Sequence, residues 1–126
     1  MAIAITEAHR DLESVARSFL SRAGARAAAR ALLDAPDEAL PAFWADLVEL
    51  GWLGLHLPEE LGGSGYGLEE LVVVIQELGR ALAPGPFLPT VLASATIRLA
   101  ASKEQQAMLL PGLADGSTTA ALGLDG

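Results

Sequence analysis

The chain has 126 residues, no cysteine, and 16 acidic against 8 basic residues, for a formal charge of -8. That length suits one domain with a modest core. The charge argues against a nonspecific grip on nucleic acid, and the missing thiols exclude disulfides, thiolate chemistry and cysteine-type zinc sites. Met1 to Ile5 shows no secretory pattern, and the longest purely aliphatic run, Leu71–Ile75, is far short of the roughly 20 residues that span a bilayer; the cytoplasm is the expected compartment. The hydrophobic fraction of 52% and mean hydropathy of +0.39 are high for a small domain. Alanine accounts for part of this, and the surplus predicts exposed apolar patches that an oligomer or a longer protein would cover.

Thr6 suits the N-cap of a first helix, whose apolar stripe is Leu12, Val15, Ala16, Phe19, Leu20 and Ala23. Gly24 interrupts it, and Ala25–Leu33 continues as helix. Arg22, Arg26 and Arg30 are four apart and share a face, which could bind an anion but reads rather as a solvated face. Residues 34–38, with Pro36, form a loop. Pro41 opens a second helix, with Phe43, Leu47 and Leu50 on one side, and Gly51 gives it a left-handed exit. Trp52 folds back on the last turn.

His56 lies in an alternating Leu-His-Leu segment with no second histidine or cysteine near it, which is weak support for a metal or a base. The following stretch, "PEELGGSGYGLEEL", spends four glycines in six residues. No lysine follows them, as a phosphate-cradling Walker loop requires. No strand precedes them, as a dinucleotide fingerprint requires, and Glu69 and Glu70 would repel a pyrophosphate. The loop also lacks the carboxylates of a calcium site. It therefore reads as a turn in which Gly62 or Gly63 takes a positive φ and the backbone approaches its neighbours closely.

Leu68–Leu82 is the strongest helix. Its leucines, Val72–Val74 and Ile75 predict cover on more than one side, and Gly79 would permit a close helix crossing. The segment "APGPFLP" ends it. A helix follows over Thr90–Ala101. Another begins at Lys103, behind a capping box of Ser102 and Gln105, and is closed by Pro111-Gly112 and Asp115-Gly116. The last residues, "STTAALGLDG", read as a strand, and a lone strand has no stable pairing. The expectation is thus an all-α orthogonal bundle of five to six helices over 1–116, with 117–126 the first strand of a truncated β-domain.

The order of these motifs resembles the amino-terminal helical domain of the acyl-CoA dehydrogenases. The resemblance runs through "FWADLVELGWLGLHLPEELGGSGYGLEELVVVIQELGRAL" and "SKEQQAMLLPGLADGSTTAALGLDG", and more loosely through Ile5–Ala31. It implies an FAD-dependent oxidoreductase that dehydrogenates an acyl-CoA thioester between its α and β carbons. A carboxylate takes the α-proton and the flavin takes the β-hydride. The resemblance puts that base in a carboxy-terminal domain, so no catalytic residue and no metal site are expected here. It implies substrate contacts at Phe87, Leu88, Val91 and Leu92, on the helix that lines the deep end of the acyl pocket; ordinary core is an equal reading of these four. It implies cofactor contacts at Leu122, Leu124 and Asp125. There "LDG" replaces the usual Thr-Glu-Pro, a departure that suits a partner subunit with a degenerate flavin site.

Three functions follow as expectations. The first is the amino-terminal domain of such an enzyme, inactive by itself, acting within a homo- or hetero-oligomer in lipid or sterol side-chain degradation. The second is a noncatalytic partner subunit of a heteromeric enzyme. The third is an unrelated helical module binding an amphipathic partner.

Overall fold

In a computed structural model, residues 5–35 and 39–125 are described. They form six α-helices: α1 (Glu7–Arg22), α2 (Ala25–Leu32), α3 (Trp44–Glu49), α4 (Leu68–Arg80), α5 (Phe87–Ala100) and α6 (Lys103–Ala114). Short 3-10 turns lie at Trp52–Gly54 and Glu59–Leu61. The all-α expectation and its helix number hold. Within the expected loop over 34–38, Pro36 to Glu38 lie outside the described residues. The chain divides into two compact units, one running to Trp44 with Glu69–Gly85, the other Ala45–Leu68 with Pro86 onward.

In the first unit, Thr6 caps α1 as its position predicts, accepting from the His9 amide at 3.2 Å. The reciprocal partner is the His9 ring, whose Nδ1 accepts from the Thr6 amide at 3.3 Å. That bond makes Nε2 the protonated nitrogen, and it faces Glu70 Oε1 of α4 at 3.2 Å. Ala16 and Leu20 of α1 are buried, as are Leu71, Val74 and Leu78 of α4, and Phe19 meets Phe43 edge-to-face at 6.3 Å. Val15, expected in the α1 stripe, is exposed.

Two expectations for α4 fail. Leu68 and Val72 are exposed rather than covered, and Gly79 has no atom of the described residues within 4 Å of the position its Cβ would take, so none of the described helices crosses closely there. The helix also stops at Arg80, two residues early. Leu82 takes φ 52, its amide bonds Gly79 O at 3.1 Å, and the Ala83 amide bonds Leu78 O at 3.0 Å. This is a Schellman closure with leucine where glycine is usual.

The second unit is built on backbone contacts. Gly51 exits α3 at φ 75, as expected, and Trp52 is buried, whereas Leu50 is exposed. The glycine turn is confirmed at Gly62, with φ 87. Gly63 is needed for another reason: a Cβ there would stand 2.1 Å from Leu57 O and 2.6 Å from Gly54 O. The loop backbone lies directly on those carbonyls, with Ser64 N on Gly54 O at 2.9 Å and Gly65 N on Leu57 O at 2.9 Å.

Leu57, Leu110, Leu113 and Ala114 form the core of this unit, with Leu61, Ile97 and Ala120 against it. α5 and α6 pack on each other and both pack on the Trp52–Gly54 turn. α5 begins at Phe87 rather than Thr90, because Pro89 falls in its first turn, where an amide has no intrahelical partner. α6 starts behind the expected Ser102–Gln105 capping box but runs through Pro111 to Ala114. Its end is set by Gly116, at φ 75, rather than by Pro111-Gly112. No strand forms among the described residues of the expected 117–126 segment: 119–125 carry no regular structure. A ladder needs a second strand, and none is present among the described residues.

Candidate functional site

The four residues expected to touch substrate all lie on the first half of α5, and the helix divides them by its period. Phe87 and Val91, four apart, are 4% and 1% exposed. Leu88 and Leu92, one position on, are 46% and 47% exposed, and Leu99 continues their side of the helix toward its end. The first pair is core, and the second is an open apolar face. Phe87 and Val91 thus follow the ordinary-core reading, and Leu88 and Leu92 lie open on the other side of the helix.

Polar groups between these positions fix the helix in place. Thr90 is fully buried, and its Oγ1 faces both the carbonyl and the amide of Ala120, at 3.4 and 3.3 Å. One threonine thus ties the start of α5 to the chain leaving α6. Ser94, also buried, donates to Val91 O at 3.0 Å. With its proton used there, Ser94 Oγ accepts from His56 Nε2 at 3.0 Å. The His56 Nδ1 is then an acceptor, and it is buried with no partner among the described residues. Burial holds this histidine below its ordinary pKa. A serine whose hydroxyl donates to a backbone carbonyl, beside a neutral histidine, is arranged for packing rather than nucleophilic attack. His56 is structural here. Its partner Ser94 is 38 residues away, so spacing could not reveal it.

The expected cofactor contacts lie just beyond Ala120. Leu122 and Leu124 are 42% and 89% exposed, and Asp125 is exposed. Among side chains, these three offer one carboxylate and no donor, whereas a flavin edge needs donors. They do not make a flavin site by themselves. No group of three or more possible metal ligands occurs among the described residues, and no helix there is long and apolar enough to cross a membrane.

Comparison with known proteins agrees with this architecture. Residues 6–117 match the family described as acyl-CoA dehydrogenase, N-terminal domain. The acyl-CoA dehydrogenase IpdE2 of Mycobacterium tuberculosis is 40% identical over 115 residues, which is 90% of this chain and 36% of that protein. Among solved structures, the ChsE4-ChsE5 complex from Mycobacterium tuberculosis superposes with a TM-score of 0.85 at 29% identity, covering 100% of this chain and 35% of the other. A variant of the Tcur3481-Tcur3483 steroid acyl-CoA dehydrogenase gives 0.79 at 34% identity, covering 92% and 32%. The chain spans about a third of the length of these relatives. An unrelated helical module is thereby ruled out: the chain belongs to the acyl-CoA dehydrogenase family, as its amino-terminal helical domain.

Proposed function

We propose that this chain serves as the amino-terminal domain of an FAD-dependent dehydrogenase acting on acyl-CoA thioesters in lipid or sterol side-chain degradation, in the cytoplasm. The observation that carries this reading is the divided face of α5. Phe87, Val91 and Thr90 anchor the helix, and Leu88 and Leu92 offer open apolar surface for an acyl chain or ring system. When bound, FAD supplies the hydride acceptor. This chain's part is to shape the pocket, exclude water from it and pack against other subunits. Residues 1–116 form that domain and 117–126 lead into a β-domain.

A second reading, a noncatalytic partner subunit of a heteromeric enzyme, draws on Asp125. Its carboxylate would oppose an anionic reduced flavin and donates nothing to the ring. The solved relative described as a two-protein complex is in keeping with it.

The test is turnover and flavin content of the full-length parent, alone and with its partner chain. Acyl-CoA oxidation by the parent, weakened in Leu88→Asp with the fold intact, supports the dehydrogenase reading; absence of turnover with every thioester, alone and partnered, refutes it. One tightly held flavin per chain without a partner refutes the partner-subunit reading. The 126-residue chain alone is expected to show no turnover.

A further inference from the structure

Five of the eight basic residues fall between Arg10 and Arg30, against only two acids there, in a chain of formal charge -8. Within the first unit two of them, Arg17 and Arg26, border a cleft of about 400 Å³, whose wall also includes Arg80, Ser21 and Glu77. Glu77 is the sole carboxylate on that wall, and it is 2% exposed. Both its oxygens are engaged: Arg17 Nε reaches Oε2 at 3.1 Å and Nη2 reaches Oε1 at 3.0 Å. Arg80 Nε lies 3.6 Å from the same Oε1. Arg17 Nη2 also reaches Glu13 Oε1, off the wall, at 2.6 Å, so Arg17 is shared between two carboxylates and Arg26 and Arg80 are the guanidiniums left with free donors on the wall.

Those two carry unused donors. Arg26 gives Nη2 to the Arg80 carbonyl at 2.9 Å, and Arg80 makes only the long pair with Glu77; neither has another partner among the described residues. A guanidinium has five N–H donors in a fork suited to oxyanions. Apart from Leu20, the remaining wall is the small residues Gly24, Ala25, Ala27 and Ala81.

We propose that this cleft binds a small phosphorylated organic molecule through its phosphate group. A phosphate monoester carries about -1.5 to -2 near pH 7 and offers three acceptor oxygens, which suit the free donors of Arg26 and Arg80. The cleft volume falls in the range of organic ligand sites, roughly 300 to 1,000 Å³, and exceeds what a bare ion would fill. No residue of α5 lines the cleft, and the proposal does not depend on the dehydrogenase reading.

The experiment titrates the isotopically labelled full chain with ribose 5-phosphate, inorganic phosphate, acetate and hexaglutamate at low salt, following amide resonances. Ribose 5-phosphate is expected to shift Ser21, Gly24 to Ala27 and Ala81 saturably, more tightly than inorganic phosphate, and less so as salt rises. Arg26→Gln, which breaks no buried pair, should weaken that binding about tenfold, whereas Arg98→Gln should not change it. Nonsaturating or dispersed shifts, an unchanged affinity in Arg26→Gln, or acetate binding as well as ribose 5-phosphate each overturn the proposal. Tighter binding of hexaglutamate than of ribose 5-phosphate also overturns it, in favour of an acidic protein segment.

Discussion

Each of the two units of this domain is held together internally by its own means. In the first, polar and charged side chains bridge helices far apart in sequence: His9 to Glu70, and Arg17 to the buried Glu77. In the second, the backbone itself does the work, as the glycine loop lies on the carbonyls of Gly54 and Leu57 and presents no side chain at the contact. Side-chain bridges yield to pH, salt and rotamer change. A backbone-on-backbone contact cannot yield without opening the loop. The second unit should therefore be intolerant at a few glycines, and the first adjustable at many charges.

The largest expected effect tests that intolerance. Gly63→Ala places a methyl group inside the van der Waals shell of two carbonyls, so the loop must open and lose its bonds to Gly54 and Leu57. A loss of about 3 kcal/mol or more is expected from the urea midpoint. Gly62→Ala makes only ordinary contacts, at 3.7 Å from Ala114 Cβ and 3.9 Å from Pro111 Cα, and suffers the left-handed φ, for a loss of about 1 kcal/mol. Equal values for the two would show that φ, and not close approach, governs the loop.

Next comes the charge bridge. Arg17→Met leaves Glu77 buried with only the 3.6 Å contact to Arg80. The urea midpoint should fall clearly, while the double variant Arg17→Met/Glu77→Leu should recover much of the loss, since no buried charge is then left unpaired. No recovery would mean that the pair acts through geometry that hydrophobic packing cannot replace.

A smaller effect is the pH dependence of the second unit. His56 has its pKa lowered in the folded chain by burial. Above about pH 6.5 the residue is neutral in both states. As pH falls below that value, the unfolded chain takes up a proton that the folded chain refuses, so stability declines toward acid. The difference in urea midpoint between pH 7.5 and 5.5 should shrink in His56→Gln, which keeps a donor for Ser94. An unchanged difference would assign the acid sensitivity to other groups.

The smallest effect is a gain. Leu82 holds φ 52 at the end of α4, where glycine bears no side-chain penalty. Leu82→Gly is expected to stabilise the first unit by up to about 1 kcal/mol, because the leucine is exposed and contributes little packing. A loss instead would show that Leu82 makes contacts worth more than its strain.

What the sequence determined by itself was local. The caps at Thr6 and Ser102, the exit at Gly51 and the left-handed turn at Gly62 depend on residues within a few positions of each other. Helix period and turn chemistry therefore sufficed to place most of the helices, and the order of motifs sufficed for the family. Where proline was read as a boundary, the reading failed twice: Pro89 sits in a first turn and Pro111 inside α6. Packing of Leu110, Leu113 and Ala114 into the core holds α6 past the missing bond. The division of Phe87 and Val91 from Leu88 and Leu92 was equally hidden, because four apolar residues on one helix do not say which pair meets a core. Only tertiary structure brought Arg17 to Glu77, His56 to Ser94 and Thr90 to Ala120. Each of these pairs lies 30 or more residues apart, where chain spacing carries no information about contact.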